Sequence, residues 1–269
     1  MDSCAPEVDR IVQAVLATKK YRAVCPDTIR RIARRELLRH GDFKTALKET
    51  RSRLHQVYRA FEREIDYDAA YRRLEAAYEA GDGPAVEAVC RHILRLHRST
   101  SERLPILDSF YAEIWAATGL PRRLLDLGCG LNPLTLPWMR LPPGARYFAF
   151  DIDAPRVAFL NRFFALAGLL PLASWQDVVC RPPEAEADVA LLLKTGPTLE
   201  RQEKGSTLRL LQALKTPFVV ISYSVRSLGG KEKGMVAHYQ RQFLSMAGNQ
   251  TWQVSKLTFD TELVFVIKK

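Results

Sequence analysis

The segment Arg123-Leu124-Leu125-Asp126-Leu127-Gly128-Cys129-Gly130 decides the fold of this 269-residue chain. Its leucine-rich half has the composition of a buried parallel strand, and it ends in two glycines one residue apart. Further along, a second apolar run at 147–150 ends in Asp151. Glycines at such a turn let the backbone approach a ligand, and the carboxylate can accept hydrogen bonds from a ribose diol. The two runs together predict a nucleotide-type pocket.

The spacing of the glycines distinguishes two classes of ligand. A dinucleotide site of the form G-x-G-x-x-G would need Gly at position 133, where this chain has Pro133. The shorter D-x-G-x-G form, from Asp126 to Gly130, is typical of methyltransferases that use S-adenosylmethionine (SAM). We therefore predict SAM as the cofactor and S-adenosylhomocysteine (SAH) as its product. The alternative is a plain strand and turn whose glycines only make a tight bend.

From residue 122 onward, apolar runs alternate with helical patterns, which indicates a parallel sheet with helices on both faces. A short turn at Asp260-Thr261 makes the last two strands an antiparallel hairpin. Seven strands ending in a hairpin are usual for SAM-dependent methyltransferases. The predicted fold class is thus α/β, with a Rossmann-like methyltransferase domain at 99–269. The predicted strands lie at 123–127, 146–151, 172–176, 188–194, 217–223, 251–259 and 261–268.

Residues 1–98 are predicted to form a separate, all-helical domain, because apolar residues recur there at helical spacing. Ser99 and Glu102 have the spacing of a capping box, which predicts that the next helix starts with Ser99 as its cap. The earlier helices are expected around Ile11, from Pro26 to Gly41, from an N-cap at Asp42 through Phe61, and over 66–80 and 84–96.

The net charge of +10 is concentrated near the N-terminus, where residues 10–60 hold fourteen Lys/Arg and four Asp/Glu. Within the third predicted helix, basic side chains follow one another at steps of three or four residues, so they share one face. This basic ridge predicts a polyanionic partner such as nucleic acid, and an ordinary solvated helix face is the alternative. Its members are Lys44, Lys48, Arg51, His55 and Arg59.

Composition also excludes several classes of protein. The five cysteines include no C-x-x-C pair, so neither a disulfide framework nor a metal site is predicted. The acidic N-terminus has no apolar signal segment, and no apolar run approaches the roughly twenty residues needed to span a bilayer. We expect a cytoplasmic protein, monomeric by default.

Ligands of a doubly wound sheet bind outside the carboxyl ends of its strands, and the residues at those ends suggest roles. Gly128 and Gly130 should admit the amino-acid end of SAM, and Asp151 should accept hydrogen bonds from the ribose hydroxyls. Gln176 and Asp177 should meet the adenine edge, although Asp177 could instead be a helix N-cap or a turn residue.

Two features near the fifth strand suggest contacts with a large substrate. The glycine-rich loop 227–234 is basic, and we assign Arg226, Lys231 and Lys233 to backbone phosphates. Tyr223 could stack on an extruded base or could be a strand-end core aromatic.

In combination, several segments make the chain similar to a known family, the acquired 16S ribosomal RNA methyltransferases of the Arm/Rmt group, which give aminoglycoside resistance. The resemblance implies SAM-dependent methylation of N7 of one guanine in the decoding A site (helix 44) of the assembled small (30S) ribosomal subunit. It also implies an N-terminal helical domain that docks on that subunit. The segments are Lys19-Lys20-Tyr21, Arg53-Leu54-His55, His97 to Arg103, Gly130 to Leu134, Ser227 to Met235 and Glu262-Leu263-Val264.

The resemblance extends the set of expected site residues, with Arg103 predicted to pair with the SAM carboxylate. No general base is expected, because guanine N7 carries a lone pair and no proton. The predicted cofactor contacts are His97, Arg98, Ser99, Arg103, Gly128, Gly130, Asp151, Ile152, Gln176, Asp177, Leu193, Gln202 and Phe61. The predicted contacts to the target base or RNA are Lys194, Tyr223, Arg226, Lys231, Lys233, Met235, Lys19, Lys20, Lys44, Lys48, Arg51 and Arg53.

The chain departs from the family at Tyr223-Ser224 and at Thr195-Gly196-Pro197, both expected near the target base. Three other functions remain open at this point. They are methylation of a small molecule, methylation of a different ribosomal RNA atom such as adenine N1, and a non-catalytic RNA-binding module with a relic cofactor fold.

Overall fold

A computed structural model of the chain describes residues 5–59, 65–169, 173–225 and 234–269. The helices are α1 Ala5–Leu16, α2 Pro26–His40, α3 Phe43–Leu54, α4 Tyr67–Glu79, α5 Gly83–Leu94, α6 Arg98–Arg103, α7 Leu107–Thr118, α8 Leu136–Met139, α9 Ala154–Leu166, α10 Gly196–Gln202, α11 Ser206–Ala213 and α12 Met235–Ala247. The strands are β1 Arg123–Leu127, β2 Arg146–Asp151, β3 Ala173–Trp175, β4 Val189–Leu193, β5 Phe218–Ser224, β6 Gln253–Thr258 and β7 Glu262–Lys268.

The strands of the described residues form one seven-stranded sheet in the order β3-β2-β1-β4-β5-β7-β6. β1 to β5 run parallel, and β7 is antiparallel to both of its neighbours. The predicted fold class and the terminal hairpin are therefore confirmed. β1 lies between β2 and β4, so the chain reverses its direction across the sheet beside β1, where an open α/β sheet offers its binding crevice.

Apolar side chains cover both faces of the sheet. One face packs against helices α4, α5, α7 and α9 through residues such as Leu74, Phe110 and Phe163. The other face packs against α10, α11 and α12, where Phe243 stacks on Phe265 with ring centroids 3.9 Å apart. Burial on both faces explains why β4 is an uninterrupted apolar run.

Helices α1, α2 and α3 form a helical unit with a hydrophobic cluster of its own, built from residues such as Ile11, Ile29 and Leu54. Helices α4 and α5 instead share the cluster of the sheet. The hydrophobic cores thus divide the chain between α3 and α4, and the domain boundary at residue 98 stays a prediction. None of the helices in the described ranges is long and apolar enough to cross a bilayer.

Backbone hydrogen bonds join this helical unit to the end of β2. The amide of Cys25 donates to the carbonyl of Ile152 at 2.8 Å, and the amide of Ala154 donates to the carbonyl of Ala23 at 3.0 Å. Val24 and Asp153 form an isolated antiparallel bridge between these two bonds. The segment before α2 is therefore fixed beside the residues predicted to bind ribose.

Two helix starts test the capping predictions. Asp42 caps α3 as predicted, because its side chain accepts a hydrogen bond from the Thr45 amide at 2.9 Å. The capping box at Ser99 is wrong, since α6 begins at Arg98 and Ser99 lies inside it. The Glu102 carboxylate instead binds Lys194 at 3.0 Å, a partly buried, charge-assisted contact.

The predicted continuation of α3 to Phe61 is also different in the structure. The α-helix ends at Leu54, and residues 55–59 continue it as a π-helical turn. A π-helical turn changes the direction in which the side chains after it point. Here it brings Tyr58 to the carboxyl end of β2.

Candidate cofactor site

A cavity of about 680 Å³ opens at the carboxyl ends of β1, β2 and β4. Its volume falls in the usual range for small-molecule sites. Most predicted cofactor residues line it, and so do Lys194 and Met235, which are predicted contacts of the substrate. The cofactor residues on its wall are His97, Arg98, Ser99, Arg103, Gly128, Gly130, Asp151, Ile152, Gln176, Asp177, Leu193 and Gln202.

The glycine turn after β1 needs both of its glycines. Gly128 has φ +66° and Gly130 has φ +54°, a left-handed backbone that other residues adopt at a cost. A Cβ on Gly128 would lie 2.7 Å from Cγ2 of Thr195, and one on Gly130 would lie 3.0 Å from the His97 ring. A side chain at either glycine would therefore displace Thr195 or His97, both of which line the cavity.

Asp151 is the last residue of β2, and both of its carboxylate oxygens accept hydrogen bonds. Oδ2 accepts from the Gly130 amide at 2.9 Å, and Oδ1 accepts from the Asp153 amide at 3.0 Å and from Arg156 at 2.9 Å. Burial, together with the neighbouring carboxylate of Asp153, raises the pKa of Asp151 to about 7. The carboxylate thus links the glycine turn to β2 and lies on the cavity wall.

His97 also lines the cavity and is buried against Gly130. Burial and the nearby cations Arg103 and Lys194 lower the pKa of His97 to about 4, so the imidazole is neutral at physiological pH. Its Nδ1 is buried and has no hydrogen-bond partner among the described residues. A buried polar atom without a partner on a cavity wall is suited to bind a polar group of a ligand.

A buried network of charges forms the floor of the cavity. Arg103 donates from Nε and Nη2 to the Glu262 carboxylate at 2.8 and 3.1 Å, and from Nη1 to Asn132 at 2.7 Å. Lys194 donates to the same carboxylate at 3.1 Å and to Glu102 at 3.0 Å. The bidentate face of Arg103, which was predicted to hold the SAM carboxylate, is therefore occupied by Glu262.

Lys194 has a strained backbone that aims its side chain at this network. Its φ is +59°, which is uncommon for a residue with a Cβ, and its amide donates to the Ser222 carbonyl at 3.0 Å. Its ammonium also donates to the Ser99 carbonyl at 3.1 Å, and the side chain is only 8 % exposed. The predicted role at the target base or RNA stays a prediction, and the structure gives the amine three protein acceptors.

At the far end of the cavity, Asp177 is held by Arg31 of α2. Arg31 donates to Oδ2 of Asp177 at 2.8 Å and to Oε1 of Gln202 at 2.6 Å, both from Nη2. Oδ1 of Asp177 accepts from the amides of Val179 and Cys180, which is the geometry of the turn residue named as the alternative. The adenine contact of Asp177 stays a prediction.

Gln176 and Ile152 are both hydrogen-bonded to neighbouring residues of the protein. The Gln176 amide donates to the Asp151 carbonyl at 2.9 Å, and its side-chain amide donates to the Arg181 carbonyl at 2.7 Å. The Ile152 carbonyl accepts from the Trp175 indole at 2.8 Å. Both residues line the cavity.

Tyr223 is not part of the cavity wall, so the prediction that it stacks on a base is not supported by its position. It is 3 % exposed, stacks on Tyr239 at 4.8 Å and meets Phe265 edge-on at 6.0 Å. This is the alternative of a strand-end core aromatic. The adjacent Ser224 does line the cavity, and its hydroxyl donates to Glu102 at 3.1 Å.

The predicted RNA contacts of the helical unit lie on its surface, away from the cavity. Lys19, Lys20, Lys44 and Lys48 are exposed. Arg51 and Arg53 turn partly inward: Arg51 donates to the Ala14 carbonyl at 3.1 Å, and Arg53 lies 3.7 Å from the Glu36 carboxylate. Of the basic ridge, Lys44, Lys48 and His55 are exposed, and the Arg59 side chain is outside the described residues. The predictions at Phe61, Arg226, Lys231 and Lys233 also fall outside them.

Several residues of the cavity wall were not predicted from the sequence. Arg31 and Tyr58 come from the helical unit, and no local motif marks them. The remaining wall residues lie at helical spacing on one face of α12; they are Met235, His238, Tyr239 and Gln242. Since Met235 is a predicted substrate contact, this spacing could have indicated the other three as residues of the same site.

The observed wall fits SAM on its own geometry. The glycine turn leaves room where a Cβ would intrude, Asp151 lies at the end of β2, and the buried Nδ1 of His97 needs a partner. With the seven-stranded sheet order, these features define a Rossmann-like, SAM-dependent methyltransferase.

Comparison with known proteins identifies the family. The model of the family described as "Ribosomal RNA methyltransferase (FmrO)" matches residues 17–266, so the chain belongs to this family and is an rRNA methyltransferase. A protein of Micromonospora echinospora named "16S rRNA (guanine(1405)-N(7))-methyltransferase" is 38 % identical over all of both chains. A protein of the same name from Frankia casuarinae is 40 % identical, with 97 % of this chain and 94 % of that one covered.

A solved structure supports the same family assignment as these relatives. The 16S rRNA methyltransferase RmtF, in complex with SAH, has a TM-score of 0.82 and 34 % identity, and the match covers all of this chain and 99 % of RmtF. The Arm/Rmt resemblance is thus confirmed, and SAM is the methyl donor of this enzyme.

Proposed function

We propose that this enzyme methylates N7 of one guanine in the decoding A site, helix 44, of 16S rRNA within the assembled 30S subunit. The modification would make a bacterium resistant to aminoglycosides that bind at that site. The observation that carries the proposal is the full-length similarity to relatives named for the same guanine N7 activity. The cavity beside a basic helical unit supports it, since such a layout suits a polyanionic substrate much larger than the cofactor.

The charge of the helical unit supports docking on RNA. The exposed lysines Lys19, Lys20, Lys44 and Lys48 lie on a unit that is fixed to the sheet beside the cavity. Phosphate contacts of this kind supply affinity without reading sequence, and their strength falls as salt rises. The cavity and the docking surface would thus bind different parts of one substrate.

When bound, SAM supplies an electrophilic methyl carbon to a guanine N7 that already carries a lone pair. The chain therefore has to bind, orient and exclude water rather than remove a proton. Asp151 would hold the ribose, and His97 would hold a polar group at the amino-acid end with a neutral imidazole. Because His97 stays neutral, it adds no positive charge that would oppose a cationic donor.

The α12 side of the cavity is suited to the incoming base. Met235, His238, Tyr239 and Gln242 share one face of that helix and line the cavity, and the helix itself starts where the basic loop ends. Extrusion of a base from its stack costs a few kcal/mol. A mixed apolar and polar wall of this kind can offset part of that cost by stacking and by hydrogen bonds.

The test is methylation of assembled 30S subunits and of naked 16S rRNA with radiolabelled SAM. The product is then treated with borohydride and aniline, and the modified position is mapped by primer extension. A strand break at one guanine of helix 44 in the 30S sample is the expected result. A primer-extension stop at an adenine without chemical cleavage would indicate N1 methylation and refute the proposal.

Resistance is tested by expression in a sensitive bacterium, with Asp151→Ala as the inactive control. We expect growth on aminoglycosides that bind the A site only with the unaltered chain. Sensitivity in cells that hold soluble, folded protein would contradict the resistance part of the proposal. Methylation of a small molecule at a rate independent of salt would contradict the ribosomal part.

A further inference from the structure

Arg31 is the side chain through which the helical unit reaches the cofactor cavity. It lies on α2, 146 residues from Asp177 in sequence, and it is only 14 % exposed. Its Nη2 donates to Asp177 at 2.8 Å and to Gln202 at 2.6 Å, and its Nε donates to Asp177 at 3.3 Å. All three residues line the cavity, so a residue of the docking unit holds Asp177, the predicted adenine contact, and Gln202, a predicted cofactor contact.

The hydrogen bonds of Arg31 fix the orientation of both partners. A guanidinium has no acceptor, so the Gln202 side chain must face it with Oε1, and its amide N–H groups point elsewhere. Burial pushes the pKa of Asp177 upward, but the charge of Arg31 and the hydrogen bonds to the carboxylate together outweigh it and hold that pKa below its ordinary value. Arg31 therefore keeps Asp177 an ionised acceptor and turns the Gln202 amide N–H groups away from itself. An acceptor beside a donor is the pair of groups that an adenine edge needs.

The position of Arg31 is itself set by the docking unit. Its neighbours Ile29 and Ile32 are buried in the cluster that α2 shares with α1 and α3. Arg35, Leu38 and Arg39 of the same helix are exposed, with Leu38 at 67 %, and α3 carries the exposed Lys44 and Lys48. A shift of α2 on docking would move the guanidinium relative to Asp177.

A second contact couples the same unit to the ribose end. The hydroxyl of Tyr58, in the π-helical turn after α3, donates to Oδ1 of Asp153 at 3.0 Å. The amide of Asp153 in turn donates to Asp151 at 3.0 Å. The helical unit thus contacts carboxylates at the ends of both β2 and β3.

We propose that Arg31 is a positioning residue for the adenine end of the cofactor, and that through it cofactor binding and subunit docking strengthen each other. The docking half of this inference rests on the proposed function, and the positioning half does not. Coupling between two sites is reciprocal. If docking on the subunit raises the affinity for the cofactor by some factor, then cofactor binding must raise the affinity for the subunit by the same factor.

The positioning half is tested by calorimetric titration of SAH into the unaltered protein and into Arg31→Ala, Arg31→Lys and Arg30→Ala. Arg30 is the matched control, because it precedes Arg31 on α2 but pairs with Asp9 and Asp27 at the surface. We expect Arg31→Ala to weaken SAH binding roughly tenfold or more, Arg31→Lys to recover part of it, and Arg30→Ala to leave it unchanged. In methylation assays the loss should lie in the KM for SAM and not in kcat.

A double-variant comparison separates positioning from general loosening. If Arg31 acts through Asp177 and Gln202, Arg31→Ala should cost little more in the background of the double variant Asp177→Asn, Gln202→Ala, whereas independent defects would add. Unchanged SAH affinity in Arg31→Ala would refute the positioning role. So would an equal loss in Arg30→Ala, and so would additive losses in the double-variant background.

The coupling half is tested by the affinity for 30S subunits with and without saturating SAH. The unaltered protein should bind subunits roughly fivefold or more tightly with SAH, and Arg31→Ala should show the same affinity in both conditions. Equal affinities in the unaltered protein would refute the coupling. A chain that binds SAH as expected but does not bind subunits at all would refute the proposed function and the coupling, and the positioning role of Arg31 would stand.

Discussion

Replacing Glu262 should destabilise this enzyme more than any surface charge does. Its fully buried carboxylate receives four contacts, at 2.8 and 3.1 Å from Arg103, 3.1 Å from Lys194 and 2.8 Å from the Ser222 hydroxyl. Glu262→Ala would leave two buried cations without this acceptor. Breaking a buried ion pair from one side costs about 3–5 kcal/mol of the free energy of unfolding. At roughly 2 °C per kcal/mol, the melting temperature should fall by at least about 6 °C.

The control is Asp108→Ala, which removes an exposed partner of Arg91 at 3.3 Å. Such surface pairs are worth less than about 1 kcal/mol. Urea denaturation and thermal melting of both variants give the comparison. Equal losses in the two variants would refute the reasoning, because the network would then be as well solvated as a surface pair.

The charges around Glu262 should also make the stability of the protein depend on pH. Burial pushes the pKa of Glu262 upward, but Arg103 and Lys194 outweigh it and hold that pKa below its ordinary value of 4.5. The stabilisation is therefore complete above pH 4.5 and is lost as the pH falls through the lower, folded-state pKa. Glu262→Gln cannot titrate, so its stability deficit relative to the unaltered protein should shrink in acid. A deficit that stays constant from neutral to acid pH would contradict this.

Three further predictions concern the cofactor and the docking surface. SAH affinity should rise as the pH passes upward through about 7, because Asp151 ionises there. Asp151→Asn should bind SAH weakly at every pH. An affinity of the unaltered protein that calorimetry finds independent of pH would contradict this. Gly128→Ala should abolish SAH binding, and adding Thr195→Ser should restore only part of it, since the clash is relieved but the positive φ remains. Lys44→Ala with Lys48→Ala should lower the salt slope of subunit binding by roughly two without changing SAH affinity; an unchanged slope would mark those lysines as a solvated face.

Local sequence determined most of the secondary structure and the cofactor class. The glycine turn from Gly128 to Gly130 and the carboxylate Asp151 are set by a few neighbouring residues, so a single sequence shows them. Alternation of strands with helices is likewise a local pattern, and the seven predicted strands match the observed ones within a residue or two. The exposed Lys44 and Lys48 also follow from helical spacing alone.

Only the tertiary structure decided what each buried charge does. Arg103 pairs with Glu262, which is 159 residues away, and Arg31 pairs with Asp177 across 146 residues. Helical spacing and strand alternation cannot place such partners, because the contacts depend on how the elements pack. For the same reason Tyr223, a plausible stacking residue by its position at the end of β5, is core: α12 covers it with Tyr239. The sequence names the charged and aromatic residues, and packing between distant elements selects their partners.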